Sequence, residues 1–144
     1  MSHQTLTATK PNFWYVGFTD ADGCFDVQIR RCQSSRLKLR VDLRLTYSQK
    51  HGLLLRAIKQ LWGGSLYEQK NGLATRLLIA GQQRLNRFVV PYFDAYMPRV
   101  KKPHYFIWRE AFALVLIKGH LTLSGLEKIK GLKAKLSRTK KSLE

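Results

Sequence analysis

The sequence predicts an α+β fold, with a four-stranded antiparallel sheet lying against helices. Three observations predict it. Residues 25–30 and 36–48 alternate apolar and polar with period two, as strands do when one face is wet and the other buried. Asn71-Gly72 separates two further short runs, and Asn-Gly is a strong hairpin signal. The segments between and after these pairs carry apolar residues at helical spacing and stop at glycines or prolines. The 144 residues suffice for about one domain, spanning 1–144.

Residues 1–9 are small and polar and read as a loose N-terminal arm. Phe13 to Thr19 is apolar almost without a break, which predicts a helix wrapped on most sides. Lys10 or Asn12 can cap it, and Pro11 suits its first turn. Gly17 removes a side chain from its middle, at a cost of about 1 kcal/mol against Ala, and so permits another backbone to approach. Asp20 and Asp22 fall where this helix ends, and Gly23 is the hinge into a strand. Asp and Gly dominate ordinary turns. A buried helix ending in carboxylates is also a way to hold a hard cation such as Mg²⁺, which takes oxygen ligands and keeps several waters.

In the first strand Phe25, Val27 and Ile29 point one way and Asp26, Gln28 and Arg30 the other. The turn is Cys32 to Ser35. In the second strand Leu37, Leu39, Val41, Leu43, Leu45 and Tyr47 share one face, opposite Arg36, Lys38, Arg40, Asp42, Arg44, Thr46 and Ser48. Gln49 to Trp62 reads as a helix with Leu54, Leu55, Ile58, Leu61 and Trp62 inward, ended by Gly63-Gly64. A hairpin of 65–69 and 73–80 follows, with Leu77 and Ile79 inward and Tyr67, Gln69, Asn71, Arg76 and Leu78 outward. Residues 81–93 form an amphipathic helix strained or stopped by Pro91, burying Leu85, Phe88, Val89 and Tyr92. A basic loop, 98–103, leads to a helix to about Lys118 that carries Tyr105, Phe106, Trp108, Phe112 and Val115. Thr122 caps a last helix, 123–137, and residues 138–144 are a solvated basic tail.

Charge narrows the function. Lys and Arg number 26 against 9 Asp and Glu, a net +17. Such an excess attracts polyanions, nucleic acid first and an anionic membrane surface second. On the first hairpin the sign is one-sided: Arg30, Arg36, Lys38, Arg40 and Arg44 are opposed only by Asp26 and Asp42. A solvated face is the ordinary fate of such residues in an antiparallel sheet. Interleaved with Gln28, Thr46 and Ser48, these residues also match a groove-reading surface, because Arg pairs with guanine and Gln with adenine. Cys24 and Cys32 match no zinc pattern; reduced thiols in an intracellular setting are expected. His3, His51, His104 and His120 are scattered, and no apolar run is long enough to span a bilayer. No signal peptide is visible.

Residues 15–23, Tyr-Val-Gly-Phe-Thr-Asp-Ala-Asp-Gly, resemble the signature of the LAGLIDADG homing endonucleases at Gly17, Phe18, Asp20, Ala21, Asp22 and Gly23. The resemblance extends through Thr46 to Lys50, the basic loop with the aromatic helix after it, and His120 to Ile129, so that it covers about 12–136. It implies the αββαββα LAGLIDADG homing-endonuclease fold with C-terminal helices and a saddle-like DNA-binding sheet. It implies that Asp22 is catalytic and binds metal, that the Ala21 carbonyl is a further metal oxygen, that Gln49 orients water or metal, and that Lys101 stabilises transition-state charge, with Lys102 its neighbour. The implied cofactor is Mg²⁺, with Mn²⁺ or Ca²⁺ as alternative occupants. The sequence departs from some members in having no Arg at the start of the helix after Gln49; Lys50, His51 or Arg56 stands nearest.

No second acidic motif occurs in the chain. The resemblance therefore implies a homodimer, with Phe13, Gly17, Asp20 and Ala21 on the contact face, around a two-fold axis. The expected activity is metal-dependent double-strand cleavage of a long near-palindromic DNA target, leaving short 3′ overhangs. An RNA maturase acting on intron RNA and a catalytically inactive DNA-binding regulator are the rival functions. The expected location is an organelle, chloroplast or mitochondrion, or a bacterial or archaeal cytoplasm.

Overall fold

The computed structural model describes residues 13–69 and 72–143. The expected arm at 1–9, the caps Lys10, Pro11 and Asn12, and Lys70 and Asn71 of the second hairpin lie outside the described residues. Helix α1 (Phe13–Asp22) leads into strands β1 (Gly23–Arg31) and β2 (Leu39–Gln49). Helix α2 (Leu53–Trp62), strands β3 (Ser65–Glu68) and β4 (Thr75–Ala80), and helix α3 (Gln82–Arg84) follow. A π-helical segment, Leu85–Val89, joins α3 to α4 (Val90–Ala95). Helix α5 (Lys102–Leu116), a 3₁₀ turn and helix α6 (Leu123–Leu143) complete the order. The sheet is antiparallel, in the order β1-β2-β4-β3.

Alternation sets the two faces of the sheet as the sequence predicts. Phe25, Val27, Val41, Leu43, Leu45, Tyr47, Leu77 and Ile79 are buried. They meet Leu55, Ile58 and Trp62 of α2, Phe93 of α4, Tyr105, Trp108 and Phe112 of α5, and Ile129 and Leu136 of α6 in one apolar cluster. The exposed edge of β1 is closed by side chains: Trp108 Nε1 donates to the Asp26 carbonyl at 3.1 Å and Lys133 Nζ to the Val27 carbonyl at 2.6 Å. Covering an edge in this way blocks pairing with another chain.

Several expectations are corrected. Strand β2 begins at Leu39, so Arg36, Leu37 and Lys38 belong to the turn. Lys38 adopts φ 61° there, a left-handed conformation that a strand does not accommodate, and its Nζ bonds the Gln33 carbonyl at 3.0 Å. Gln49 closes β2, and α2 begins only at Leu53. Leu54 is exposed because Leu55, Ile58 and Trp62 define the inward stripe of α2. Pro91 does not stop its helix. The π segment just before it absorbs the proline's missing donor, and the extra residue turns Phe88 out and Val89 and Val90 in. Phe106 is likewise exposed on α5. Residues 138–143 are helical, not a tail, since α6 runs to Leu143.

Gly64 sits at φ +113°, and a Cβ there would meet the Leu78 carbonyl at 2.6 Å. Gly64→Ala is expected to destabilise the protein by about 2 kcal/mol through strain and this clash, read as a lower urea midpoint with an unchanged slope.

Candidate active site and nucleic-acid interface

The end of α1 is anchored before it is functional. Thr19 is fully buried; its Oγ1 donates to the Tyr15 carbonyl at 2.6 Å and lies 2.7 Å from the Tyr47 hydroxyl. Burial pushes the Tyr47 phenol well above its ordinary range, so it stays a neutral hydrogen-bonding group. This ties the last turn of α1 to β2. The next residues, Asp20, Ala21 and Asp22, emerge at a fixed place.

Asp20 and Asp22 have different surroundings. Asp20 turns to the basic loop: its Oδ2 accepts from the Arg99 backbone N–H at 3.0 Å and its Oδ1 from that of Lys101 at 3.1 Å. It braces the loop that presents Lys101. Asp22 is exposed, and the Gln49 side-chain amide donates to its Oδ2 at 2.6 Å. These two lie 27 positions apart in sequence and are joined by the register that sets Gly23 opposite Tyr47. Ala21 is exposed in the last helical turn, where carbonyls lack intrahelical donors. Lys101 Nζ donates to the Gly23 carbonyl. Burial pushes its ammonium below the ordinary lysine range, and the nearby Asp20 and Asp22 partly restore it. Lys102 is exposed beside it, over the Phe106 ring. Arg56 pairs with Glu68 at 3.3 Å.

Among the described residues no group of three or more His, Cys, Asp and Glu gathers into a metal site. One carboxylate with a free oxygen and one backbone carbonyl fit a hard cation whose remaining ligands are waters and phosphate oxygens.

Gln28, Arg30, Arg40 and Arg44 lie on the outer face of the first hairpin, continuous with Ser48, Arg76 and Tyr67 through the pairings Ser48–Arg76 and Tyr67–Arg76. Arg44, Tyr67, Gln69, Arg76 and Leu78 line one open hollow on that face, although Gln69 lies just past the end of β3. Arg36 and Lys38 extend the positive charge at the far end of the first hairpin without sharing the strand.

The acids that hold the arginines are not among the expected site residues. Arg44 Nη2 donates to Asp26 Oδ2 at 2.7 Å. Asp42 accepts from Arg30 at 2.8 Å and from Arg40 at 3.0 Å. The alternation that put Asp26 and Asp42 on the basic face was the available signal. Lys140, expected in a solvated tail, instead lies 3.3 Å from the Cys24 sulfur and 4.0 Å from Asp26. No sequence pattern announces that, because it depends on where α6 crosses β1. Cys24 and Cys32 are free thiols.

A carboxylate, an amide and a lysine gathered at one end of a strongly basic sheet face define a nuclease-like α+β protein. The comparisons name the family. Residues 15–112 match the profile of the LAGLIDADG endonucleases, and the chain belongs to that family. Over 104 residues it is 29% identical to a probable intron-encoded endonuclease, Cox1-I1b, of Schizosaccharomyces pombe, covering 71% of this chain and 27% of that protein. Its structure is similar to that of I-SmaMI bound to an uncleaved DNA target in the presence of calcium ions, with TM-score 0.83 and 29% identity over 90% of this chain and 46% of that one. The archaeal intron-encoded homing endonuclease I-Vdi141I in complex with DNA shares the fold, with TM-score 0.80 at 24% identity, over 88% of this chain and 82% of that one. The chain spans less than half the length of the curated relatives it matches. Among the described residues no helix is long and apolar enough to cross a membrane.

Burial pushes the Asp26 carboxyl up, but the Arg44 hydrogen bond and the charges of Lys140, Arg44 and Lys133 outweigh it and hold the group below the ordinary range. A depressed carboxylate contributes stability above its unfolded pKa of about 4 and loses it as pH falls through the folded value. Arg44→Ala is expected to cost about 2 kcal/mol at neutral pH. Urea titrations at successive pH values would show that deficit shrinking below pH of about 4.

Proposed function

We propose that this protein is a homing endonuclease that acts as a homodimer and cuts both strands of a long, near-palindromic DNA target, leaving short 3′ overhangs. The observation that carries the reading is the Asp22–Gln49 pair beside Lys101, at one end of a basic sheet face. Residues 1–144 form one LAGLIDADG domain in this reading. Asp22 and the Ala21 carbonyl would hold a divalent cation, Mg²⁺ as the working ion with Mn²⁺ or Ca²⁺ as substitutes. Bound there, it supplies Lewis-acid polarisation of the scissile phosphate and a more acidic water. Gln49 fixes the Asp22 carboxylate and offers its amide oxygen to orient water. Lys101 brings positive charge to the phosphate as negative charge develops on it. Its backing by the Gly23 carbonyl and the Asp20-braced loop keeps that charge in place without reorganisation.

The outer sheet face would lie along the major groove, with Gln28, Arg30, Arg40, Arg44, Tyr67, Gln69 and Arg76 toward the bases and Arg36 and Lys38 toward the backbone. Asn71, outside the described residues, completes the set. Two such sheets related by a two-fold axis cover about two helical turns. Intron RNA is a further candidate partner, in keeping with relatives named as intron-encoded; an organelle or a prokaryotic cytoplasm would hold it.

The dimer reading is supported by an open face. Gly17 is exposed, and among the described residues nothing beyond its own helix lies within 4 Å of where its Cβ would stand; Phe13 is 73% exposed. Ala21 is exposed on the same helix, one turn on from Gly17. A close backbone approach needs a surface of this kind.

A target site recovered from a randomised DNA library tests the activity. Asp22→Asn should bind it with parental affinity and cut it about a hundredfold or more slowly, since Lewis-acid stabilisation supplies several kcal/mol. Equal cutting by both proteins would remove the role given to Asp22. Gly17→Glu places a charge on the open face without an internal clash. It should convert a dimer into a monomer in analytical ultracentrifugation while leaving the thermal midpoint of the fold nearly unchanged; a persistent dimer would place the contact elsewhere.

A further inference from the structure

Arg30 and Arg40 face each other directly across β1 and β2. Like charges in that position repel. Between them stands Asp42, two residues along β2 from Arg40 and opposite Gln28. It gives a separate oxygen to each arginine, Oδ2 to Arg30 Nη2 at 2.8 Å and Oδ1 to Arg40 Nε at 3.0 Å. The carboxylate is mostly covered, at 20% side-chain exposure, while the two arginines are 61% and 62% exposed. The acid is thus rooted in the sheet and both guanidiniums reach outward from it.

The bonding pattern leaves a usable edge on each. Arg40 is held through Nε, and among the described residues its Nη groups have no hydrogen-bond partner. Arg30 is held through one Nη2 hydrogen, which leaves its Nη1 and the other Nη2 hydrogen open among the described residues. A guanidinium with its terminal fork free can meet guanine O6 and N7 together. A long side chain held beforehand loses less rotamer freedom on binding. The carboxylate also cancels part of the charge that would otherwise bind any phosphate.

We propose that Asp42 is a positioning residue for sequence specificity: it aims Arg30 and Arg40 as a fixed pair at guanines in neighbouring base pairs and suppresses sequence-independent binding. The proposal rests on the DNA-binding reading above. It assigns no base contact to Asp42 itself.

The test uses the full chain and duplexes carrying every single base-pair change across the half-site that the parent selects. Parent, Asp42→Asn, Arg30→Ala and Arg40→Ala are compared by equilibrium binding at several salt concentrations. Asp42→Asn should lose about tenfold in discrimination at the positions that the two arginine variants relax, and at no others. Its affinity for unrelated DNA should rise with a steeper salt dependence, and Asp42→Glu should restore part of the discrimination. Asp42→Ser gives the same readout if the amide variant does not fold. Unchanged discrimination in Asp42→Asn overturns the proposal. So does a relaxed position that neither arginine variant affects, which would make Asp42 a base reader. A uniform loss at every position would reduce Asp42 to a structural role. A parent with no site preference at all would count against the DNA-binding reading itself, whatever Asp42 does.

Discussion

Everything in this protein depends on the register between β1 and β2. Gly23 opposite Tyr47 is the first rung, and the rungs from Phe25–Leu45 to Arg30–Arg40 alternate apolar pairs inward with polar or charged pairs outward. A slip of one residue would send Arg40 and Arg44 into the core and Leu43 and Leu45 into water, which the burial of even two leucines forbids at about 2 kcal/mol each. The same rung sets the chemistry. It puts the end of β2 beside the start of β1, so that Gln49 reaches Asp22. The hydrophobic pattern thus aligns two polar residues that make no hydrophobic contact.

That dependence explains what the sequence could reveal. Period two is read directly from side-chain type, so both sheet faces, the inward Leu77 and Ile79 and the outward arginines were legible. The acidic corner was legible because Asp20, Ala21, Asp22 and Gly23 follow a long apolar helix. What failed has common causes. The start of β2 is not legible because Arg36-Leu37-Lys38 continues the alternation, while Lys38 takes a left-handed backbone instead. The outward place of Phe88 is not legible because a π-helical segment shifts the helical phase by one residue, and propensity does not reveal that shift. The fate of Lys140 was hidden because it follows from the crossing of α6 over β1, a long-range packing fact.

The two aspartates of the corner show how position divides labour between identical side chains. Asp20 spends both oxygens on backbone N–H groups of the loop before α5. An acceptor so engaged is a poor candidate for a cation and a good brace. Asp22 keeps one oxygen outside its bond with Gln49 and stands exposed. The brace matters for the lysine. With its backbone fixed by Asp20 and its ammonium by Gly23, Lys101 is held half-buried, and burial is the main cause of its lowered pKa.

The charge distribution carries the last step. A net +17 on 144 residues favours any polyanion and separates nothing by itself. Selectivity needs that charge to be organised, and on this sheet the acids hold the arginines in place. Asp26 holds Arg44, and Asp42 holds Arg30 and Arg40. The pairs differ in depth: Arg44 is 20% exposed and braced, while the other two stand out at 61% and 62%. Arg44 is therefore held close to the sheet beside Asp26, and the outer pair extends further from it. Because the acids sit in the sheet and not in the loops, the aim of each arginine is set by the same register that sets Asp22 against Gln49. The recognition and the cleavage proposed above are then two consequences of one strand pairing, and a change that disturbs the pairing would be expected to blunt both together.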